Sequence, residues 1–213
     1  KEAVLPMITS CSPGWVRYIE MNYPEQLDHL SSCKSPHEMF GSILKSYYAK
    51  KMGIDPEKMY VVSVMPCIAK KFEKVREELK NDGLANVDSV ITTRELARMI
   101  KQAHIDLSLL EDSEFDSPMG EATGAGAIFG TTGGVMEAAL RTAYEKVTGK
   151  ELEKLEFEEV RGKEGIKKST IKMGEKEIKV AVAHGLANAQ EILEEIKNGK
   201  ADYQFAEIMA CPG

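Results

Sequence analysis

The chain has 213 residues, 43% of them hydrophobic, which is enough for one large domain or two small lobes with a real core. A formal net charge of -6 argues against a nucleic-acid footprint, and no apolar run approaches a membrane span. No signal peptide is expected, because Lys1 to Pro6 is too short for a hydrophobic core segment, and the start without Met suggests a fragment or processed piece. Four cysteines, at 11, 33, 67 and 211, are too few for a disulfide scaffold and form no C-x-x-C pair. A cytoplasmic, reducing compartment fits them best.

Residues 4–9 read as a short buried strand, followed by a loop over Ser10–Gly14 and a helix from Trp15 to Met21. Pro36 opens a second helix whose Met39, Phe40, Ile43, Leu44, Tyr47 and Tyr48 make an apolar stripe. Residues 59–65 are continuously apolar, as in a parallel strand buried on both faces, and run into Pro66-Cys67 and a charged helix over about 70–79. Asn81-Asp82-Gly83 is a turn, 87–91 a second strand, and Thr93 the cap of a helix reaching about Gln102, with Glu95 in its first turn.

Residues 106–122 are acidic and irregular, and the segment from Thr123 to Gly134 is small and glycine-rich. A helix over 135–147 follows, then an antiparallel set at 155–161, 166–173 and 176–183 with Gly174 in a turn. A helix over 187–196 and a strand over 203–209 complete the pattern. The alternation predicts an α/β fold of two lobes, with largely parallel sheets flanked by helices and a cofactor in the cleft. The expected division is 1–105 for the first lobe, 106–119 for an acidic connection and 120–213 for the second lobe.

Three cysteines stand just beyond strands: Cys11, Cys67 in Met65-Pro66-Cys67, and Cys211 in Met209-Ala210-Cys211. Ligands of open α/β folds gather at the carboxyl ends of strands, and soft thiolates select iron–sulfur clusters, zinc or copper(I). Lys70, at the expected start of a helix, adds a cation that favours thiolates. Without these neighbours each cysteine would read as a buried core thiol, and Lys70 as a helix-surface lysine.

The segments Thr9-Ser10-Cys11-Ser12-Pro13-Gly14-Trp15, Met65-Pro66-Cys67-Ile68-Ala69-Lys70-Lys71-Phe72-Glu73 and Met209-Ala210-Cys211-Pro212-Gly213 resemble, in order, the three cysteine motifs of the iron-only (FeFe) hydrogenases. Ser31-Ser32-Cys33-Lys34-Ser35-Pro36, Ile91–Leu96 and Gly124–Gly130 resemble family stretches between them, so the likeness covers nearly the whole chain. It implies the catalytic, H-cluster domain truncated at both ends, and an isolated fragment without activity.

The implied cofactor is a 4Fe-4S cluster joined to a di-iron subsite with CO, CN and azadithiolate ligands. The implied reaction is reversible reduction of protons to dihydrogen. By the match, Cys67 and Cys211 ligate the four-iron cluster and Cys11 is the free thiol that relays a proton, with Ser31 on the proton path. Lys70 pairs with a cyanide ligand, a fitting role for a fixed cation in a desolvated pocket. Met65, Pro66, Phe129 and Met209 wall the subsite, and Glu73 falls on a polar position. The implied partners are ferredoxin or NAD(P)-linked electron-transfer subunits, and maturation proteins.

Two features depart from the family pattern. Ser12 stands where a second cysteine ligates the cluster, which leaves open weak ligation by Ser12, a shift of Cys11 onto the iron, or another arrangement. The family motif also continues past Gly213 to a further cysteine, and the family domain begins before Lys1. Two other readings remain: a non-catalytic iron–sulfur assembly or sensory relative, which should lack the matches at Met65, Lys70 and Met209, and a cofactor-free fragment.

The remaining candidates read as structural. Gly124–Gly134 lacks the G-x-G-x-x-G spacing of a dinucleotide site, and close packing beside the cofactor is its expected use. Cys33 reads as a packing residue. His29, His37, His104 and His184 show no metal spacing, although His37, just after Pro36, is expected near the pocket. The acidic residues at 111–121 read as a solvated loop.

Overall fold

The computed structural model describes residues 4–131, 133–152, 158–159 and 164–211. In chain order the elements are β1 (Met7–Ile8), α1 (Pro13–Asn22), α2 (Pro36–Ile43), α3 (Ala49–Met52), β2 (Val62–Met65), α4 (Lys70–Glu73), β3 (Ser89–Thr92) and α5 (Thr93–Gln102). They continue as α6 (Gly124–Ile128), α7 (Gly134–Thr148), β4 (Glu158–Glu159), β5 (Ile166–Met173), β6 (Lys176–His184), α8 (Leu186–Lys197) and β7 (Phe205–Met209). This is the α/β pattern expected. Residues 155–157 and 160–161 of the expected first antiparallel strand, and Pro212 and Gly213 of the last motif, lie outside the described residues.

The chain folds as two units, Lys1–Cys33 with Ala122–Gly213, and Lys34–Glu121. This corrects the division at 106–119. The reason is a strand pairing: β1 lies parallel to β7, Met7 opposite Phe205 and Ile8 opposite Ala206, so the first residues belong with the last.

The first unit holds a sheet in the order β1-β7-β6-β5-β4. β1, β7 and β6 run parallel, while β5 and β4 are antiparallel to their neighbours, so the expected parallel sheet carries an antiparallel hairpin. Gly174, at φ +61, supplies the left-handed turn of that hairpin. Strand β6 is apolar on both faces. Ala181 and Ala183 face a cluster with Trp15 and Ile19 of α1 and Ile192 and Leu193 of α8, while Val180 and Val182 meet Met136 and Leu140 of α7. Strand periodicity alone puts these two pairs on opposite faces, and helices cover both.

The second unit is built around the parallel pair β2–β3, Val62 opposite Ser89 through Met65 opposite Thr92. β2 is not buried on both faces as its apolar run suggests: Val62 and Val64 are 50% and 41% exposed, and among the described residues β3 is its only sheet partner. The apolar stripe of α2 is also turned outward at Met39, Phe40, Ile43 and Tyr47. Its inward face is Ser35, Glu38, Gly41, Lys45 and Ala49, continuous through a π-turn at Leu44–Tyr48. Gly41 sits there because a Cβ would collide with the Asn86 carbonyl. The expected helix over 70–79 is a single turn, Lys70–Glu73, followed by a 3-10 turn at Glu77–Leu79. The cap of α5 is Thr92 rather than Thr93. Its Oγ1 accepts from the Glu95 amide at 3.1 Å while Glu95 accepts from the Thr92 amide at 2.7 Å, a closed capping box.

Candidate cofactor site

In the first unit the carboxyl ends of parallel strands present the site residues, as open α/β sheets do. Cys11 and Ser12 follow β1, and Ala210 and Cys211 follow β7, so strand pairing sets these segments side by side. Side chains lock them. Thr9 Oγ1 accepts from the Ile208 amide at 3.1 Å, and the buried Trp15 indole donates to the Thr9 carbonyl at 3.0 Å. Ser12 is the N-cap residue of α1, yet its hydroxyl makes no capping bond. Instead Ser12 Oγ accepts from the Ala210 amide at 3.1 Å, joining the first motif to the third. Gly14 lets that contact close, because a Cβ there would already stand 3.1 Å from the Ala210 Cβ. Beyond β7, the Gly185 amide donates to the carbonyls of Met209 and Cys211, each at 2.9 Å.

Cys11 is half-buried, Ser12 is buried and Cys211 is exposed. Ser31 lies beside β1: its amide donates to the Ile8 carbonyl at 2.8 Å, and its hydroxyl accepts from the Cys33 amide at 3.2 Å. Cys33 is exposed, which corrects the packing role expected of it; what its residue contributes is backbone, including a carbonyl that accepts from Ser10 Oγ at 2.6 Å. Met209 is half-buried, and Phe129 caps the end of α6 at 37% exposure.

Sequence reasoning passed over Glu207, two residues before Met209. It is 1% exposed, and one carboxylate oxygen accepts from the Met136 amide at 2.6 Å, at the start of α7. Burial pushes its carboxyl above the usual range, against the pull of the Met136 and Gly133 amides. An acidic residue in an otherwise apolar strand was the available signal.

In the second unit, Met65 ends β2 and Pro66 and Cys67 follow it, with Cys67 half-buried and Pro66 exposed. Lys70 opens α4 as expected but is no surface lysine: it is 6% exposed. Its ammonium donates to Glu73 Oε2 at 2.8 Å. The same oxygen accepts from His37 Nε2 at 2.6 Å, and His37 Nδ1 is 3.0 Å from Ser63 Oγ. Glu38, 1% exposed, accepts from Asn86 through Oε2 at 3.0 Å, while its Oε1 is buried without a hydrogen-bond partner, 3.7 Å from His37 Nε2. His37, Glu38 and Glu73 have the ligand types and proximity of a metal site, though no such spacing shows in the sequence.

The family model for the iron-only hydrogenase large subunit, C-terminal domain, matches residues 1–213. The chain belongs to the iron-only hydrogenase family. It is 54% identical over 209 residues to the periplasmic [Fe] hydrogenase large subunit of Nitratidesulfovibrio vulgaris, covering 98% of this chain and 50% of that one. It is equally identical, 54% over 209 residues, to the NADP-reducing hydrogenase subunit HndD of Solidesulfovibrio fructosivorans, at 98% and 36% coverage. A solved variant of [FeFe]-hydrogenase HydA1 from Chlamydomonas reinhardtii superposes with a TM-score of 0.85 at 43% identity, over 98% of this chain and 60% of that one. More distant relatives include a cytosolic Fe-S cluster assembly factor of Xenopus tropicalis, 34% identical over 98% of this chain and 45% of that protein. The chain thus spans half or less of the length of these curated hydrogenase relatives. Among the described residues of this hydrogenase-family chain, no helix is long and apolar enough to cross a membrane.

Proposed function

We propose that this chain is the cofactor-holding part of an iron-only hydrogenase that reversibly reduces protons to dihydrogen. The observation that carries the reading is the set of cysteines beyond strand ends, with Cys11 and Cys211 following neighbouring parallel strands and Cys67 followed by a buried ammonium, Lys70. The donor chemistry fits a 4Fe-4S cluster joined to a di-iron subsite, since soft thiolates are the ligands such iron takes.

Cys67 and Cys211 would ligate the four-iron cluster, with Ser12 at the place of a further ligand. Met65, Pro66, Phe129 and Met209 would exclude water from the subsite. Lys70 would pair with a cyanide ligand; its charge is already desolvated and oriented, so little reorganisation accompanies binding. Cys11 would hold the proton at Sγ, with Ser31 next on its path. When bound, the cofactor supplies the redox chemistry that joins protons and electrons. Electrons would come from ferredoxin or an NAD(P)-linked subunit, and maturation proteins would load the subsite. We place the chain in the cytoplasm, on the reduced state its thiols need, although one relative is named as periplasmic.

A second reading, iron–sulfur assembly, is supported by the relative at 34% identity. The hydrogenases at 54% and the matches at Met65, Lys70 and Met209 favour the enzyme. The test is anaerobic maturation of the full-length protein, followed by iron and sulfide analysis, infrared spectroscopy and hydrogen evolution from a reduced viologen. Cyanide and carbonyl bands with hydrogen release are expected. A bound cluster without those bands and without hydrogen would leave the assembly reading in its place. Ser12→Cys should raise retained iron; unchanged iron would remove Ser12 from the ligand set.

A further inference from the structure

The buried group around Glu73 has two negative side chains and two basic ones. Glu38 and Glu73 supply the carboxylates, Lys70 an ammonium and His37 an imidazole. A divalent ion is the first occupant such ligands suggest, but Lys70 Nζ lies 2.8 Å from the same Glu73 oxygen that His37 approaches. A metal there would face a fixed ammonium at contact distance, so the cation of this pocket is already the lysine.

The hydrogen-bond pattern orients the imidazole. Nε2 faces two acceptors, Glu73 Oε2 at 2.6 Å and Glu38 Oε1 at 3.7 Å, so this nitrogen carries the proton. Nδ1 faces the Ser63 hydroxyl, on β2. Glu38 is itself held by Asn86, which also donates to the Leu79 carbonyl. The imidazole is therefore fixed by α2, β2 and α4 together. Burial pushes the Glu73 carboxyl up, yet His37 and Lys70 together hold it below the usual carboxylate range.

We infer that His37 is a positioning residue for Lys70: by anchoring the shared Glu73 oxygen, it fixes where the Lys70 ammonium stands. Glu73 has a carboxylate that could rotate about its terminal bond, and its pairing with the Lys70 ammonium would move with it. With Oε2 pinned from the His37 side, the oxygen to which the ammonium donates has one well-defined station. The inference deepens the reading of Lys70 as a cyanide partner, and rests on that reading only where the infrared test enters.

The experiment compares His37→Leu, which removes the donor, with His37→Gln, whose amide can still donate to Glu73. The first readout is the Lys70 Nζ resonance and its proton exchange in the full-length cofactor-free protein labelled with 15N-lysine, assigned by Lys70→Arg. In His37→Leu the Lys70 signal should move toward those of solvated lysines, with exchange faster by about tenfold or more, as loss of a charge-assisted hydrogen bond implies. His37→Gln should restore both. If His37→Leu does not fold, His37→Asn, whose amide is too short to reach Glu73, should give the same displacement. An unmoved Lys70 signal in a folded His37→Leu or His37→Asn protein overturns the inference, as does failure of His37→Gln to restore it.

The second readout is the cyanide stretch of the matured protein. A shift in His37→Leu that His37→Gln reverses supports both the positioning and the cyanide role. If the Lys70 signal moves while the cyanide bands stay, the positioning stands and the cyanide role of Lys70 falls.

Discussion

The two units bury opposite kinds of chemistry. The first places helices on both faces of its sheet and packs two apolar clusters, one around Trp15, Ile192 and Ile208, the other around Met136 and Val180. In the second, the buried hydrophobics among the described residues are Ala49, Val87 and Val90, while Ser35, Glu38, Lys70, Glu73 and Asn86 are buried beside them. Apolar packing is non-directional and tolerates small shifts; a buried polar network does not, because each unpaired member keeps its full desolvation cost. The second unit should therefore respond to charge and the first to volume.

The largest effect expected is on the network. Glu73→Leu leaves both Lys70 and His37 buried without their shared acceptor oxygen, and should destabilise the second unit by about 3–5 kcal/mol. Hydrogen exchange of the β2 and β3 amides would show it, and protection equal to wild type would break the contrast. Ile192→Ala, at 1% exposure, should cost the first unit about 2–5 kcal/mol. Trp15, the single tryptophan, is a natural fluorescence reporter for that unit in urea.

Glu207 sharpens the comparison, being the buried acid of the apolar unit. Glu207→Ala removes the acceptor of the Met136 amide and should cost about 1–3 kcal/mol by the same fluorescence assay, whereas Glu207→Gln keeps an acceptor and should cost less. The two buried acids should also titrate with opposite signs. The folded Glu73 carboxyl is depressed, so its contribution is present above the ordinary 4.5 and is lost as pH falls below that, toward the folded value. The folded Glu207 carboxyl is raised, so the first unit loses stability as pH climbs from 4.5 through the folded value. Melting each unit across this range, with Glu73→Gln and Glu207→Gln as controls, tests the signs; slopes of one sign in both units would refute the assignment. The smallest effect is at the capping box, where Thr92→Ala should cost about 1 kcal/mol, read as faster exchange in the first turn of α5.

Where local periodicity and turn chemistry decide the structure, the sequence was readable. Helices α7 and α8, the β5–β6 hairpin around Gly174 and the first turn of α5 fall within a residue or two of expectation. What needed distant partners was not. Nothing local in Met7–Ile8 announces pairing with Phe205–Ala206, so the lobe division came out wrong. The run at 59–65 reads as doubly buried, but burial depends on neighbours that a strand's own residues do not specify. On α2, the apolar stripe drew attention away from Ser35, Glu38 and Gly41, the face that is actually buried.

The candidate site divides the same way. Its three cysteine motifs are contiguous and can be matched by likeness, and Lys70 with them. The bond from the Ala210 amide to Ser12, the Glu73 oxygen shared by His37 and Lys70, and the cap of α7 by Glu207 each join residues far apart in sequence. Only folding brings such pairs into view.

The pairing of β1 with β7 has a consequence for synthesis. A ribosome delivers the segment around Cys11 long before the strand that will hold it, and β7 is the sheet partner of β1. Until β7 emerges, Lys34–Glu121 can assemble as its own unit while the first cysteine waits on unpaired chain, open to oxidants and to stray metal. The thiols of Cys11 and Cys211 thus come under the control of the fold only once β7 has emerged. A cell that makes this protein must keep the nascent Cys11 thiol reduced through the synthesis of every residue between β1 and β7.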